Sequence, residues 1–148
     1  MKIFHLAVVA ALVAVIAACG GGPVKRVSPP TASVQELVVQ PDGQWTLTLR
    51  VQNFSSVPMT FATLDAKLQI TGREVAAVSA ALSIEIPRES AEIFTIVITP
   101  APGSTLSAAH DFAYTLAGTI STSEPKRSFP FERTSRLSPV PGLTNTWR

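Results

Sequence analysis

The chain has 148 residues, with 46% hydrophobic residues, 12 Lys and Arg, 10 Asp and Glu, and one cysteine. That length bounds it to one domain of ordinary size, and one cysteine excludes an internal disulfide. A formal net charge of +2 does not indicate a strongly basic, nucleic-acid-binding protein; the two short basic pairs, Lys25-Arg26 and Lys126-Arg127, read as solvated loop charges.

The first segment accounts for the mean hydropathy of +0.30. Lys2 is a positive start, and Leu6 to Ala18 are apolar throughout. This is the build of a secretory signal, and it is short of the ~20 apolar residues of a transmembrane helix. Its end, Ile16-Ala17-Ala18-Cys19, resembles the bacterial lipobox: an aliphatic residue, two small residues and a cysteine. The resemblance implies that residues 1–18 are removed and that the Cys19 sulfur, the nucleophile available for alkylation, carries a diacylglyceryl group. Each buried CH2 contributes about 0.8 kcal/mol and a single myristoyl chain binds only marginally. Two or three acyl chains on one residue therefore imply lasting membrane attachment. Gly20, where Gram-negative lipoproteins kept in the inner membrane carry Asp, implies the periplasmic face of the outer membrane.

Residues 19–33 then form the lipidated N-terminus and a linker. "GGGPVKRVSPPTAS" has Gly for flexibility and Pro-Pro for extension. Fourteen residues extend to at most ~45 Å.

From Val34 the period is two. "VQELVVQ" and the turn Pro41-Asp42-Gly43 lead into "QWTLTLRVQ", where Trp45, Leu47, Leu49 and Val51 share one face. "LDAKLQIT" points Leu64, Ala66, Leu68 and Ile70 inward, and "GRE" makes a turn. "VSAALSIEI" puts Ala80, Leu82, Ile84 and Ile86 on one face. "EIFTIVIT" is apolar on both faces, the pattern of a central strand. After a Pro/Gly/Ser-rich loop with one short helical turn over 104–111, "DFAYTLAGTI" aligns Phe112, Tyr114, Leu116 and Ile120, with Gly118 in register. Pro130 in "SFPFER" marks an edge strand. Seven strands at intervals of 10–15 residues predict an all-β, antiparallel β-sandwich over residues 34–148.

"LTLRVQNFSSVPMTFATLDAKLQITGREVA", residues 47–76, resembles the late embryogenesis abundant type 2 domain, also called the water-stress-and-hypersensitive-response (WHy) domain. Asn53 opens the family's turn, Val57-Pro58 follows, and Gly72-Arg73-Glu74-Val75 matches the next hairpin. "FAYTLAGTI" and "SPVPGLTNTWR" are similar to bacterial members. The resemblance implies a seven-stranded Ig/fibronectin-III-like sandwich and a link to desiccation or envelope stress.

Catalytic constellations are not legible. His110 beside Asp111 reads as an exposed loop histidine, because a Ser-His-Asp triad needs convergence rather than adjacency. One His and a lipidated Cys do not make a zinc site, and "CGGG" lacks the Lys-Ser/Thr of a phosphate loop. Glu85, Glu89 and Glu92 read as solubilising charges at strand ends, with a weak calcium site as the alternative. Trp45, Phe61, Phe94, Phe112, Tyr114, Phe129 and Phe131 are core by their periodicity; Trp147 caps the sandwich or offers a contact. Asn53 is expected as a structural turn residue that tolerates left-handed backbone and bonds its own turn.

The expectation is a non-enzymatic, lipid-anchored envelope protein with no metal and no cofactor beyond the lipid on Cys19. Its partners are the membrane, through the anchor, and an envelope protein, not nucleic acid. The alternative is a module that holds a hydrophobic ligand, such as a lipid, between its sheets.

Overall fold

The computed structural model describes residue 22 and residues 24–148. The signal segment 1–18, the lipobox residues Ile16, Ala17 and Ala18, and Cys19 lie outside the described residues.

Eight strands form two four-stranded antiparallel sheets, a β-sandwich, and among the described residues there is no helix. The short helical turn expected over 104–111 is absent; that segment is loop. One sheet runs β5-β2-β1-β8 and the other β4-β3-β6-β7. Their ranges are β1 (Thr31–Val39), β2 (Trp45–Gln52), β3 (Met59–Ile70), β4 (Arg73–Ile86), β5 (Ala91–Ile98), β6 (Phe112–Glu124), β7 (Lys126–Leu137) and β8 (Thr146–Trp147). Consecutive strands pair as three hairpins, β1–β2, β3–β4 and β6–β7.

The alternation read from sequence becomes the core. Trp45, Leu47, Leu49 and Val51 of β2 are buried, as are Leu64, Ala66, Leu68 and Ile70 of β3. Phe61, Tyr114, Leu116 and Ile120 fill the space between the sheets. Bulges re-aim side chains as an unpaired extra residue does, among them one in β4 and one in β1. In β4 the register slips between Leu68↔Ala76 and Gln69↔Glu74, and Val75 and Ala76 are both buried. In β1 it slips between Val34 and Glu36. There Tyr114, from the opposite sheet, takes up both polar groups of the Val34 backbone. Its Oη accepts from Val34 N–H (3.0 Å) and donates to Val34 C=O (3.2 Å). Burial pushes the Tyr114 phenol above its usual pKa.

Turn chemistry holds at the β3–β4 hairpin: Thr71 and Gly72 both have positive φ (50° and 78°), the two-residue turn that matches strand twist. Gly118 is required for a different reason. A Cβ there would lie 2.1 Å from Asp65 O and 2.5 Å from Ala66 Cα.

Three expectations are corrected. The expected central strand "EIFTIVIT" is β5, an edge strand with only β2 beside it. Its second apolar face is solvent-exposed, with Ile93 at 62% and Val97 at 60%. The strand count rises from seven to eight because Thr146–Trp147 adds to β1. The sandwich begins at Thr31, inside the expected 19–33 linker. By contrast, β7 with Pro130 lies at an edge as expected.

Candidate functional site

The strand ends sort into two poles. Gln52 pairs with Thr31 and Ala91, and Thr60 pairs with Glu85 and Glu124. The start of the described chain, the β2–β3 loop 53–58, the β4–β5 loop 87–90 and the β6–β7 turn therefore gather at one pole. The opposite pole holds the turns at 40–44 and 71–72 and the loop 99–111.

Asn53 organises the first pole. It is fully buried. Its Nδ2 donates to Val57 O (3.0 Å), Ile86 O (3.0 Å) and Pro87 O (3.1 Å), two hydrogens shared among three carbonyls. Its Oδ1 accepts from Ser55 N–H (2.8 Å), and its own N–H donates to Ser90 O (2.8 Å). One amide thus ties the β2–β3 crossover to the β4–β5 crossover. The expected turn bond is present, but Asn53 is not among the residues of positive φ, so left-handed tolerance is not its reason for being there.

The loop that Asn53 fixes holds the N-terminal segment. Arg26 N–H donates to Ser56 Oγ (2.8 Å) and Ser56 N–H to Arg26 O (2.9 Å). Ser56 Oγ donates to Val24 O (3.1 Å). Ser28 N–H donates to Ser55 Oγ (2.9 Å), which lies 3.2 Å from Ser28 O and 3.0 Å from Met59 Sδ. Val27 packs on the core, and Pro30 and Ala32 are buried. Most of the expected linker is thus docked on the sandwich. The sequence reading missed Ser28, Ser55 and Ser56; the only local sign was the Ser-Ser pair two residues beyond Asn53.

A recess of about 290 Å³ opens where the tether meets the loops, lined by Val24, Lys25, Ser56, Val57, Arg88 and Glu89. The loops of this pole carry Lys25, Arg26 and Arg88 against Glu89, and at the strand ends beside them Lys126 and Arg127 stand with Glu85, Glu92 and Glu124. None of these basic residues is in an ion pair among the described residues; the pairs are Lys67–Glu74, Arg136–Asp111 and Arg148–Glu36.

The remaining candidates disperse. His110 Nδ1 is 3.0 Å from Ser107 Oγ, but all three of Ser107, His110 and Asp111 are exposed. Asp111 bonds Arg136 instead, and that hydrogen bond and charge hold its carboxyl below the usual carboxylate range. Glu85, Glu89 and Glu92 do not converge: among the described residues no three His, Cys, Asp or Glu side chains gather as a metal site. Trp45, Phe61, Tyr114, Phe129 and Phe131 are buried, and Phe94 and Phe112 pack against the core. Trp147 is buried under Phe112 (centroids 5.9 Å apart), and its Nε1 donates to His110 O (3.3 Å). It caps one end of the sandwich.

No protein-family model and no curated protein matches the chain. Among solved structures it is similar to that of AT1g01470 from Arabidopsis thaliana, at 13% identity over 81% of this chain and 84% of that one, with a TM-score of 0.48. A protein from Archaeoglobus fulgidus is 14% identical over 78% and 98% of the two chains, with a TM-score of 0.44. A FixG-related protein from Vibrio parahaemolyticus is 15% identical over 76% and 98%, with a TM-score of 0.39. At this level shared function does not follow from shared architecture.

Proposed function

We propose that this is a lipid-anchored envelope protein without catalytic activity. Cys19 carries the lipid, and the sandwich supports the cell envelope under desiccation or related stress by contacting protein or membrane from the periplasmic face of the outer membrane. The WHy-like resemblance supplies the stress context. The strand order β4-β3-β6-β7 facing β5-β2-β1 supports a fibronectin-III-like sandwich, with β8 as an addition. The observation that carries the anchored reading is that the chain from Val24, five residues after Cys19, docks on the Asn53 pole, so an anchor at Cys19 would act on a defined face of the domain. Leu47, Leu49, Phe61, Leu64 and Leu116 between the sheets are fully buried, which counts for this reading over carriage of a ligand between them.

Labelled fatty acid fed to cells should enter the wild-type protein and not Cys19→Ala. Incorporation into Cys19→Ala overturns the anchor. For the stress role, a deletion strain should survive drying or osmotic shock less well than its parent; equal survival overturns it.

A further inference from the structure

We infer that the Asn53 pole is a contact surface for an anionic phospholipid membrane and that the domain stands on the membrane pole-down. The inference rests on the lipid-anchor reading and adds an orientation and a lipid class to it.

The first ground is reach. Between Cys19 and Val24 lie only residues 20–23. Five Cα steps span at most about 18 Å, even fully extended. From Val24 onward the backbone is bonded to Ser55 and Ser56. A lipid on Cys19 therefore holds this pole near the headgroups and keeps the opposite pole, a strand-length away, out of reach.

The second ground is chemistry. In the loops that would face the lipid Lys25, Arg26 and Arg88 outnumber Glu89, while the strand ends behind them are near balance, Lys126 and Arg127 with Glu85, Glu92 and Glu124. Each basic side chain near an anionic leaflet strengthens attraction about fivefold, within a Debye length. Two apolar side chains stand among them, Val24 at 85% and Phe54 at 46% exposure. Exposed apolar groups ringed by cations suit an interface of acyl chains and phosphates. The opposite pole exposes Leu143 but has Asp42 and Asp111 in its turns and loops.

The test uses the lipidated full chain in vesicles. With Cys19 acylated the chain has no free thiol, so Phe54→Cys or Leu143→Cys accepts one environment-sensitive dye. In vesicles with about one-third phosphatidylglycerol, the dye at 54 should be at least threefold less accessible to aqueous iodide than the dye at 143. The difference should shrink in pure phosphatidylcholine and in 0.5 M salt, where the Debye length falls to a few Å. Replacing Lys25, Arg88, Lys126 and Arg127 together by Gln should lower the protection at 54 to the phosphatidylcholine level. Equal quenching at 54 and 143 in an acylated protein overturns the orientation alone. Protection at 54 that ignores lipid charge, salt and the Gln replacements overturns the anionic-lipid assignment. An N-terminal peptide without acyl mass overturns the anchor, and the orientation falls with it.

Discussion

Replacing Asn53 by alanine removes a buried side chain that joins the two crossovers at the tether pole. Four groups lose a partner: the carbonyls of Val57, Ile86 and Pro87 and the N–H of Ser55. Two of these bonds, to Ile86 O and from Ser55 N–H, are buried. A buried group left unsatisfied costs about 1–3 kcal/mol, so two of them cost about 4 kcal/mol at mid-range. That is a large share of the roughly 5–15 kcal/mol of a typical domain. At about 4 °C per kcal/mol for this size, thermal unfolding should show Tm lower by roughly 16 °C. Asn53→Asp gives the sharper signature. It keeps the shape but aims a carboxylate at three carbonyl oxygens, so its folded pKa must rise above the unfolded value near 3.9. Its penalty is then complete above the folded pKa and is relieved as pH falls through it. The Tm deficit against wild type should therefore be smaller at pH 4.5 than at pH 7.5. The Asn53 argument is refuted if Asn53→Ala melts within about 2 °C of wild type, or if the Asn53→Asp deficit does not change with pH.

Tyr114→Phe strands the Val34 N–H and C=O beside the β1 bulge and should cost about 1–3 kcal/mol in urea unfolding. Because burial raises the folded phenol pKa above the unfolded value near 10, the Tyr114 contribution to stability should hold below that pH and decline above it, so wild type should lose more stability than the Phe variant as pH rises past about 10. Gly118→Ala drives a methyl into the Asp65 and Ala66 backbone and should destabilise by about 3 kcal/mol or more, beyond ordinary overpacking; a Tm unchanged within 2 °C would count against the close approach. Ile93→Lys with Val97→Lys changes only the solvent face of the β5 edge, so Tm should hold within about 2 °C. Light scattering at high concentration should decrease, because charge on an exposed edge opposes strand-to-strand association.

How much of this was legible follows from what each signal depends on. The inward faces of β2 and β3 are local: side chains alternate and solvent sorts them. The edge position of β7 was readable because a missing N–H at Pro130 is a property of one residue. Whether β5 is central is not local. A strand apolar on both faces needs a second neighbour to be central, and no residue in "EIFTIVIT" reports that the neighbour is absent. The strand at Thr146–Trp147 is too short for any period. Asn53 was recognisable as a turn residue, yet its acceptors at Ile86 and Pro87 lie 33 and 34 residues on and are backbone carbonyls, which every residue has. The same limit decided the tether. Composition measures how much entropy ordering a segment costs, and by that measure "GGGPVKRVSPPTAS" is a flexible linker. It does not register that the Ser55 and Ser56 hydroxyls, 27 to 32 residues away, supply bonds that offset the cost. The difference reaches function. A free tether of fourteen residues would let the domain turn any face to its surroundings. On the anchored reading, with the bonded segment beginning at Val24, four residues separate Cys19 from a fixed pole, and the backbone would make the choice of face.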